Sequence, residues 1–296
     1  MLPAVVEVVV TTKVDLSRVD TGLVTHISSF LVTPRELLNL ALTCKAFGWR
    51  RPTSTLNCSL VEEVARQAVS SRATDAEMSI LPRYASGTTT WLSILHRYEH
   101  LLDFDVLLGG YIEYLNGDKT TVCAKDGFNG VAVSSGYVMR SGAHYAEFQI
   151  NGTPYIGVVR PMPGLDAGAY DDEFNFFDHR FRLDFLAQRS DDWGNGSVHA
   201  CLYCPRYGST GCTDWDDEGD DEGWEGRLRE RCTSGDTVGM LLNLDDGTLT
   251  VYKNNRRLGV IKDGLSGPYC WYVNVDGRDT VAIKKANLPT TAQVDV

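Results

Sequence analysis

The spacing of apolar residues changes once along this chain, near residue 115, and that change limits what it can fold into. Before it, apolar side chains recur every three or four positions. Leu23, Ile27, Phe30 and Leu31 form one stripe, and Leu37, Leu40, Ala41, Cys44 and Phe47 form another, the pattern of helices that bury one face. Thr33-Pro34-Arg35-Glu36 and Ser59-Leu60-Val61-Glu62 open apolar runs in the form of capping boxes, where a hydroxyl and a carboxylate satisfy free helix amides reciprocally. Pro34 suits a first helical position, and Gly48 is a stop for the helix. Val64, Ala65 and Ala68 extend a third helix; Trp91, Ile94, Leu95, Tyr98 and Leu102 carry a fourth. Beyond residue 115 the period falls to two. Ala146, Phe148 and Ile150 alternate with Tyr145, Glu147 and Gln149, as on a half-buried strand. Further strands are predicted over 154–160, 198–204, 237–244, 248–253, 257–262, 270–275 and 280–285. Asp246-Gly247 and Asn254-Asn255 supply hairpin residues that tolerate positive φ. The expectation is an α+β multidomain chain, an N-terminal α-helical region followed by an antiparallel β-sandwich.

Composition removes several functions. With 39 acidic and 28 basic residues and a net charge of -11, the chain lacks the basic balance of a phosphate-tracking protein, so no nucleic-acid partner is expected. No apolar run approaches the ~20 residues of a membrane span, and the apolar start carries Glu7 and no basic flank, unlike a signal peptide. Neither a membrane partner nor secretion is expected, and the location expected is intracellular, cytoplasmic or nuclear. The eight cysteines are then expected as thiols, and the Asn-X-Ser/Thr triplets at Asn57, Asn151 and Asn195 as chance matches. There is no Gly-x-Ser-x-Gly elbow, Walker loop or His-Glu-x-x-His. Asp171-Asp172 and Asp191-Asp192 are adjacent, hence on opposite sides of an extended chain. No catalytic residue and no cofactor are expected.

Two clusters invite a metal. Cys201-x2-Cys204, with His199, Cys212 and Cys232 nearby, has zinc-ligating residue types. On a strand, however, residues three apart face opposite ways, so buried structural thiols are expected. In the acidic stretch from Asp214 to Glu225, eight of twelve residues are Asp or Glu. Asp214, Asp216, Glu218, Gly219 and Glu225 follow positions of a calcium loop, but Asp221 stands where an apolar residue belongs and the flanks are not helical. A solvated insertion is expected, and no metal. Its charge could steer a basic partner.

The strand half resembles the SPRY domain family. Ser141-Gly142-Ala143-His144-Tyr145-Ala146-Glu147-Phe148 is similar to that family's Ser-Gly-x-His-Tyr-Trp-Glu-Val segment, with Ala146 in place of Trp. Tyr155-Ile156-Gly157-Val158-Val159-Arg160 resembles its next strand. The run from Gly235 to Leu244, then Gly247 to Asn255 and Leu258-Gly259, comes next in order, with Asn255 in place of Gly. A Cys-rich, Trp-Asp-Asp-Glu loop is similar to those of algal and other protist SPRY proteins. The resemblance implies a concanavalin-like sandwich over 109–290, inert chemically, whose loops hold a segment of a target protein. Loop anchors expected on that basis are Tyr137, Arg160 with the 161–166 loop, Trp193, Trp215, Trp224, Asp276 and Arg278, though each aromatic could also be a core or lid residue. Trp271 is assigned to the core. Asp276 stands near where peptide-binding relatives place a Trp, so their specificity is not carried over.

Residues 18–50 resemble an F-box, with 51–108 as a helical linker or cap. Leu23, Ile27, Leu31, Leu37, Leu38, Leu40 and Leu42 match its apolar positions; Thr43 and Phe47 depart from it, and no Leu-Pro pair opens it. This resemblance implies docking on a Skp-type adaptor of a cullin ubiquitin ligase, and hence a substrate-receptor role. The alternatives are a stand-alone SPRY module with structural helices, or a concanavalin-like carbohydrate-binding protein.

Overall fold

In the computed structural model, which describes residues 33–289 other than 44, 50–57, 126, 195–197, 216–222 and 228–229, the change of period is a change of architecture. Helices come first: α1 Pro34–Thr43, α2 Lys45–Gly48, α3 Leu60–Arg72, α4 Asp75–Ile80 and α5 Trp91–Glu99. The described residues of Met1–Thr74 with Leu81–Glu99 form one compact unit, and those of Asp75–Ile80 with His100–Val296 form another.

Both predicted capping boxes are present in the helical unit. Thr33 N donates to Glu36 Oε2 (3.1 Å) while Glu36 N donates to Thr33 Oγ1 (3.2 Å). Ser59 N and Glu62 Oε2 (3.2 Å), with Glu62 N and Ser59 Oγ (3.3 Å), repeat the exchange at α3. The predicted second helix is broken after Thr43. The short α2 returns so tightly that a Cβ on Gly48 would stand 2.5 Å from Ala41 O. That return brings Phe47 onto Leu60 and Val61, with Leu40 and Ala41 packed against them.

The second unit holds fourteen described strands. In chain order they are β1 Val106–Leu108, β2 Ile112–Tyr114, β3 Thr121–Ala124, β4 Gly130–Val133, β5 Ala143–Asn151, β6 Tyr155–Val159, β7 Ala200–Cys204, β8 Ser209–Thr213, β9 Gly223–Arg227, β10 Thr237–Asn243, β11 Thr248–Lys253, β12 Arg256–Lys262, β13 Cys270–Val275 and β14 Thr280–Lys285. They make two seven-stranded antiparallel sheets, ordered β1-β4-β13-β6-β7-β8-β9 and β12-β11-β10-β5-β14-β3-β2. The sandwich expected from the sequence is thus the fold. Its inner faces meet where Phe148 of β5 stands edge-on to Trp271 of β13, ring centroids 6.0 Å apart. The small Ala146 pairs across from Met240. Asn254 and Asn255 take φ of 48° and 67°, the left-handed values their hairpin requires.

The first sheet is buried on its outer face too. The segment between β6 and β7, containing helix α6 Arg182–Leu186, lays Phe174, Phe176, Phe185 and Trp193 over Val159, Leu202, Cys270 and Tyr272, and Trp215 joins them. Double burial is why β7 reads as an unbroken apolar run and β13 as one interrupted only by Asn274, rather than as alternating strands. One expectation is corrected here. Cys201 and Cys212, expected as thiols, are joined as a disulfide, because the β7–β8 register sets them directly opposite each other.

Candidate protein-binding surface

Four of the residues expected as loop anchors are interior, which corrects the sequence reading. Tyr137 is 4% exposed, and its hydroxyl meets His144 Nδ1 at 2.9 Å. His144 Nε2 lies 2.9 Å from Ser141 O, which can only accept. The imidazole proton is therefore on Nε2, and Nδ1 accepts from the tyrosine. Burial holds the His144 pKa below its ordinary value. Arg160 is fully buried. Its Nη1 donates to Ser266 O (2.6 Å) and Pro268 O (3.3 Å), and its guanidinium lies 4.2 Å from the centre of the Tyr269 ring. Gly267, between those carbonyls, has φ +79°, and a Cβ there would lie 2.5 Å from Trp193 O. Trp193 and Trp215 belong to the aromatic cover, where Trp215 Nε1 donates to Phe176 O (3.3 Å). The two tryptophans join Phe174, Phe176 and Phe185 in the roof of the first sheet. Trp224 falls in β9, whose side chains lie outside the described residues.

Asp276 and Arg278 remain at the surface, in the β13–β14 turn. The ladders show which connections share that end of the sandwich. Leu108 pairs with Val131, Gly130 with Val275, Asn274 with Tyr155, Cys204 with Ser209, and Asn151 with Thr280. The turns at 109–111, 127–129, 152–154, 205–208 and 276–279 therefore gather at one edge. The 171–180 segment joins them through Gly110 N to Asp172 O (3.1 Å) and Phe174 N to Asn129 O (3.2 Å). Between Asn129 and that segment lies a cleft of about 350 Å³ lined by Asn129, Glu173, Asn175, Phe177, Asp178 and Arg180.

Asp279 fixes this edge. It is 5% exposed, accepts from Thr153 N (2.8 Å) and Asp276 N (3.3 Å), and so ties two turns together. Burial pushes its carboxyl above the usual range, against the lowering effect of those bonds. Half-buried Tyr155 stands beside it. Burial first, then the nearby Cys204, Asp276, Tyr207 and Asp279, push its hydroxyl up to about 12. Asp178 is held low by Arg180, whose Nε lies 2.8 Å from Oδ2. Above this floor the exposed groups are Phe128, whose ring is tilted against that of Tyr111 at 4.7 Å, and Tyr207, under the Arg206 guanidinium at 5.3 Å, together with Arg278. Such a mixture of aromatic area, fixed hydrogen-bonding groups and paired charges can hold a polypeptide segment. Phe128, Tyr207 and Asp279 escape a reading of the sequence because each sits in a short polar turn with no periodicity.

In the helical unit the expected docking residues are divided. Leu23, Ile27 and Leu31 lie outside the described residues. Leu37 is fully buried and Leu40 packs inward, whereas Leu38 (49%) and Leu42 (77%) are exposed. No described helix is long and apolar enough to cross a membrane. Among the described residues, no group of three or more His, Cys, Asp or Glu side chains is placed to hold a metal.

No family model matches the sequence, and no curated protein matches it. Among solved structures, the chain is similar to the SPRY domain of human HERC1 at 18% identity, over 55% of this chain and 86% of that one, with a TM-score of 0.36. It is similar to the PSpry domain of TRIM65 at 16% identity, over 63% and 91%, with a TM-score of 0.39. A human SPRY domain is similar at 18% identity, over 58% and 95%, with a TM-score of 0.32.

Proposed function

We propose that this chain is a non-catalytic, intracellular adaptor of the SPRY type. The edge formed by 109–111, 127–129, 171–180, 205–208 and 276–279 captures a target protein. The observation that carries this reading is the pairing of exposed Phe128, Tyr207 and Arg278 with a floor pinned by buried Asp279, a rigid base under variable contact groups. The helical unit recruits a Skp-type adaptor through Leu38, Leu42 and the 23–31 stripe, so the chain acts as a substrate receptor and raises the concentration of target near a ubiquitin ligase. A stand-alone binding module is the second reading. It is favoured by Leu37 and Leu40, which are spent on the helical unit's own packing.

Full-length protein and a Phe128→Ser/Tyr207→Ala/Arg278→Ala variant, matched for unfolding midpoint, should differ in what they retain from native cell extract. Equal recovery of the same proteins by both rejects this edge as the binding surface. Leu38→Glu/Leu42→Glu should abolish co-purification with a Skp-type adaptor. If the unmodified chain retains no such adaptor, the stand-alone reading replaces the ligase role.

A further inference from the structure

The segment that walls the cleft, 171–180, carries four carboxylates against one guanidinium. Asp178 is taken by Arg180, whose Nε lies 2.8 Å away. Asp172 and Glu173 come last among the groups that raise the Arg180 pKa, well behind Asp178. Among the described residues, Asp171, Asp172 and Glu173 have no ion pair and no side-chain hydrogen bond. They are also clamped. Gly110 N donates to Asp172 O (3.1 Å), and Phe174 N donates to Asn129 O (3.2 Å). A Cβ on Gly110 would overlap Asp171 O, and one on Gly109, at φ +93°, would lie 3.0 Å from Asp172 O. Two glycines thus let the 109–110 turn close onto the backbone of the acids. A free loop relieves repulsion between like charges by spreading, and this run is held in place.

Glu173 lines the cleft together with the Asn129 carboxamide and the Phe177 ring. The Asn129 side chain has no hydrogen-bond partner among the described residues. Phe177 is set against a bare stretch of β8, since a Cβ on Gly211 would lie 3.2 Å from its Cε1. A second open carboxamide stands on the same sheet face. Asn274 pairs across from Val131 and is therefore diagonal to Asn129, on the face of β13 that also carries Tyr272. It is 1% exposed, and neither its Oδ1 nor its Nδ2 has a hydrogen-bond partner among the described residues, an exception to the usual pairing of buried polar groups. A fixed carboxylate, open carboxamides and an aromatic ring around one cleft match the chemistry of a guanidinium. That group is planar and always charged, donates through a fork of N–H groups and stacks on aromatic faces.

We propose that this cleft takes an arginine side chain of the captured protein. Its guanidinium donates to Glu173 and Asn129 and lies against Phe177, while Asp171 and Asp172 draw the positive charge in. A lysine supplies the charge without the plane or the fork, so it is the poorer occupant. The inference rests on the reading of this edge as a protein-binding surface, and it names the residue type that the cleft selects.

Amide chemical-shift titration of the full chain tests this with the capped peptide acetyl-Gly-Gly-Arg-Gly-Gly-amide. Its isosteres carrying citrulline, lysine or glutamate in place of arginine are the comparisons. The arginine peptide should shift the amides of Asn129 and Glu173 and bind about fivefold or more tighter than the citrulline peptide, which has the same shape without the charge. Added salt should erase most of that preference. Asp172→Asn/Glu173→Gln, two changes at groups with no partner to lose, should abolish the preference and leave the citrulline peptide unaffected. Absence of arginine shifts at the cleft overturns the proposal. So does equal binding of arginine and citrulline, tighter binding of the lysine or glutamate peptide, or an arginine preference that survives Asp172→Asn/Glu173→Gln. In native extract, proteins lost by the Phe128→Ser/Tyr207→Ala/Arg278→Ala variant should also be lost by Asp172→Asn/Glu173→Gln. Their full retention by the latter overturns the arginine inference and leaves the edge standing, whereas unchanged recovery by the former rejects the edge itself.

Discussion

Asp279→Ala is the substitution that most directly probes how the binding edge is held. The carboxylate accepts from Thr153 N at 2.8 Å and from Asp276 N at 3.3 Å, so truncation strands two backbone donors. A hydrogen bond to a charged acceptor contributes about 1.5 to 3 kcal/mol, and the longer bond contributes at the low end. Removing the carboxylate also relieves the burial that pushes its pKa up, which offsets part of that loss. The net cost is about 2 to 3 kcal/mol, which for a unit of this size lowers the melting temperature by about 4 to 12 °C. Asp279→Asn keeps one acceptor at the Thr153 amide and sheds the buried charge, so it should cost about 1 kcal/mol or less. Urea unfolding of the three proteins, read alongside target capture, measures both. Alanine should weaken capture more than asparagine does, because it frees 152–154 from 276–279. Variants that unfold at the same urea concentration as the unmodified protein would refute the role assigned to Asp279.

Two further outcomes rest on buried polar groups. Arg160→Ala should cost about 3 kcal/mol in urea unfolding, since it removes the donor to Ser266 O and Pro268 O and the stacking on Tyr269; a loss below about 1 kcal/mol would contradict the geometry. His144 has a folded pKa below its ordinary 6.5, so the unfolded chain binds the proton more readily and stability should fall as pH drops from 7 toward 5. His144→Gln should show a shallower decline, and parallel midpoint-versus-pH curves would exclude His144 as a source of it.

The parts of the fold legible in the sequence are those fixed by local chemistry. Thr33 and Ser59 with their glutamates mark two helix starts, Asn254-Asn255 marks a hairpin, and the alternation through Ala146, Phe148 and Ile150 marks β5. Strands β1 to β4 have three or four residues each, too few to display a period, and β8 and β9 mix small, polar and charged residues. Tyr137, Arg160, Trp193 and Trp215 look like loop residues by their neighbours. Their burial comes from contacts distant in sequence, such as Arg160 with Ser266 and Trp215 with His199. At the binding edge, Asp276 and Arg278 are readable from their turn. Phe128 and Tyr207 require the ladders that bring separate turns together.

Phe174 packs into the roof of the first sheet while its own amide donates to Asn129 at the cleft. The wall of the cleft and the roof of the sheet are therefore one stretch of chain. Transplanting the 127–129 turn onto another sandwich should carry little affinity, because the main wall of the cleft, 173–180, would stay behind with its aromatic foundation. Diversification of this edge is correspondingly cheapest at Arg278, which lies exposed in the β13–β14 turn.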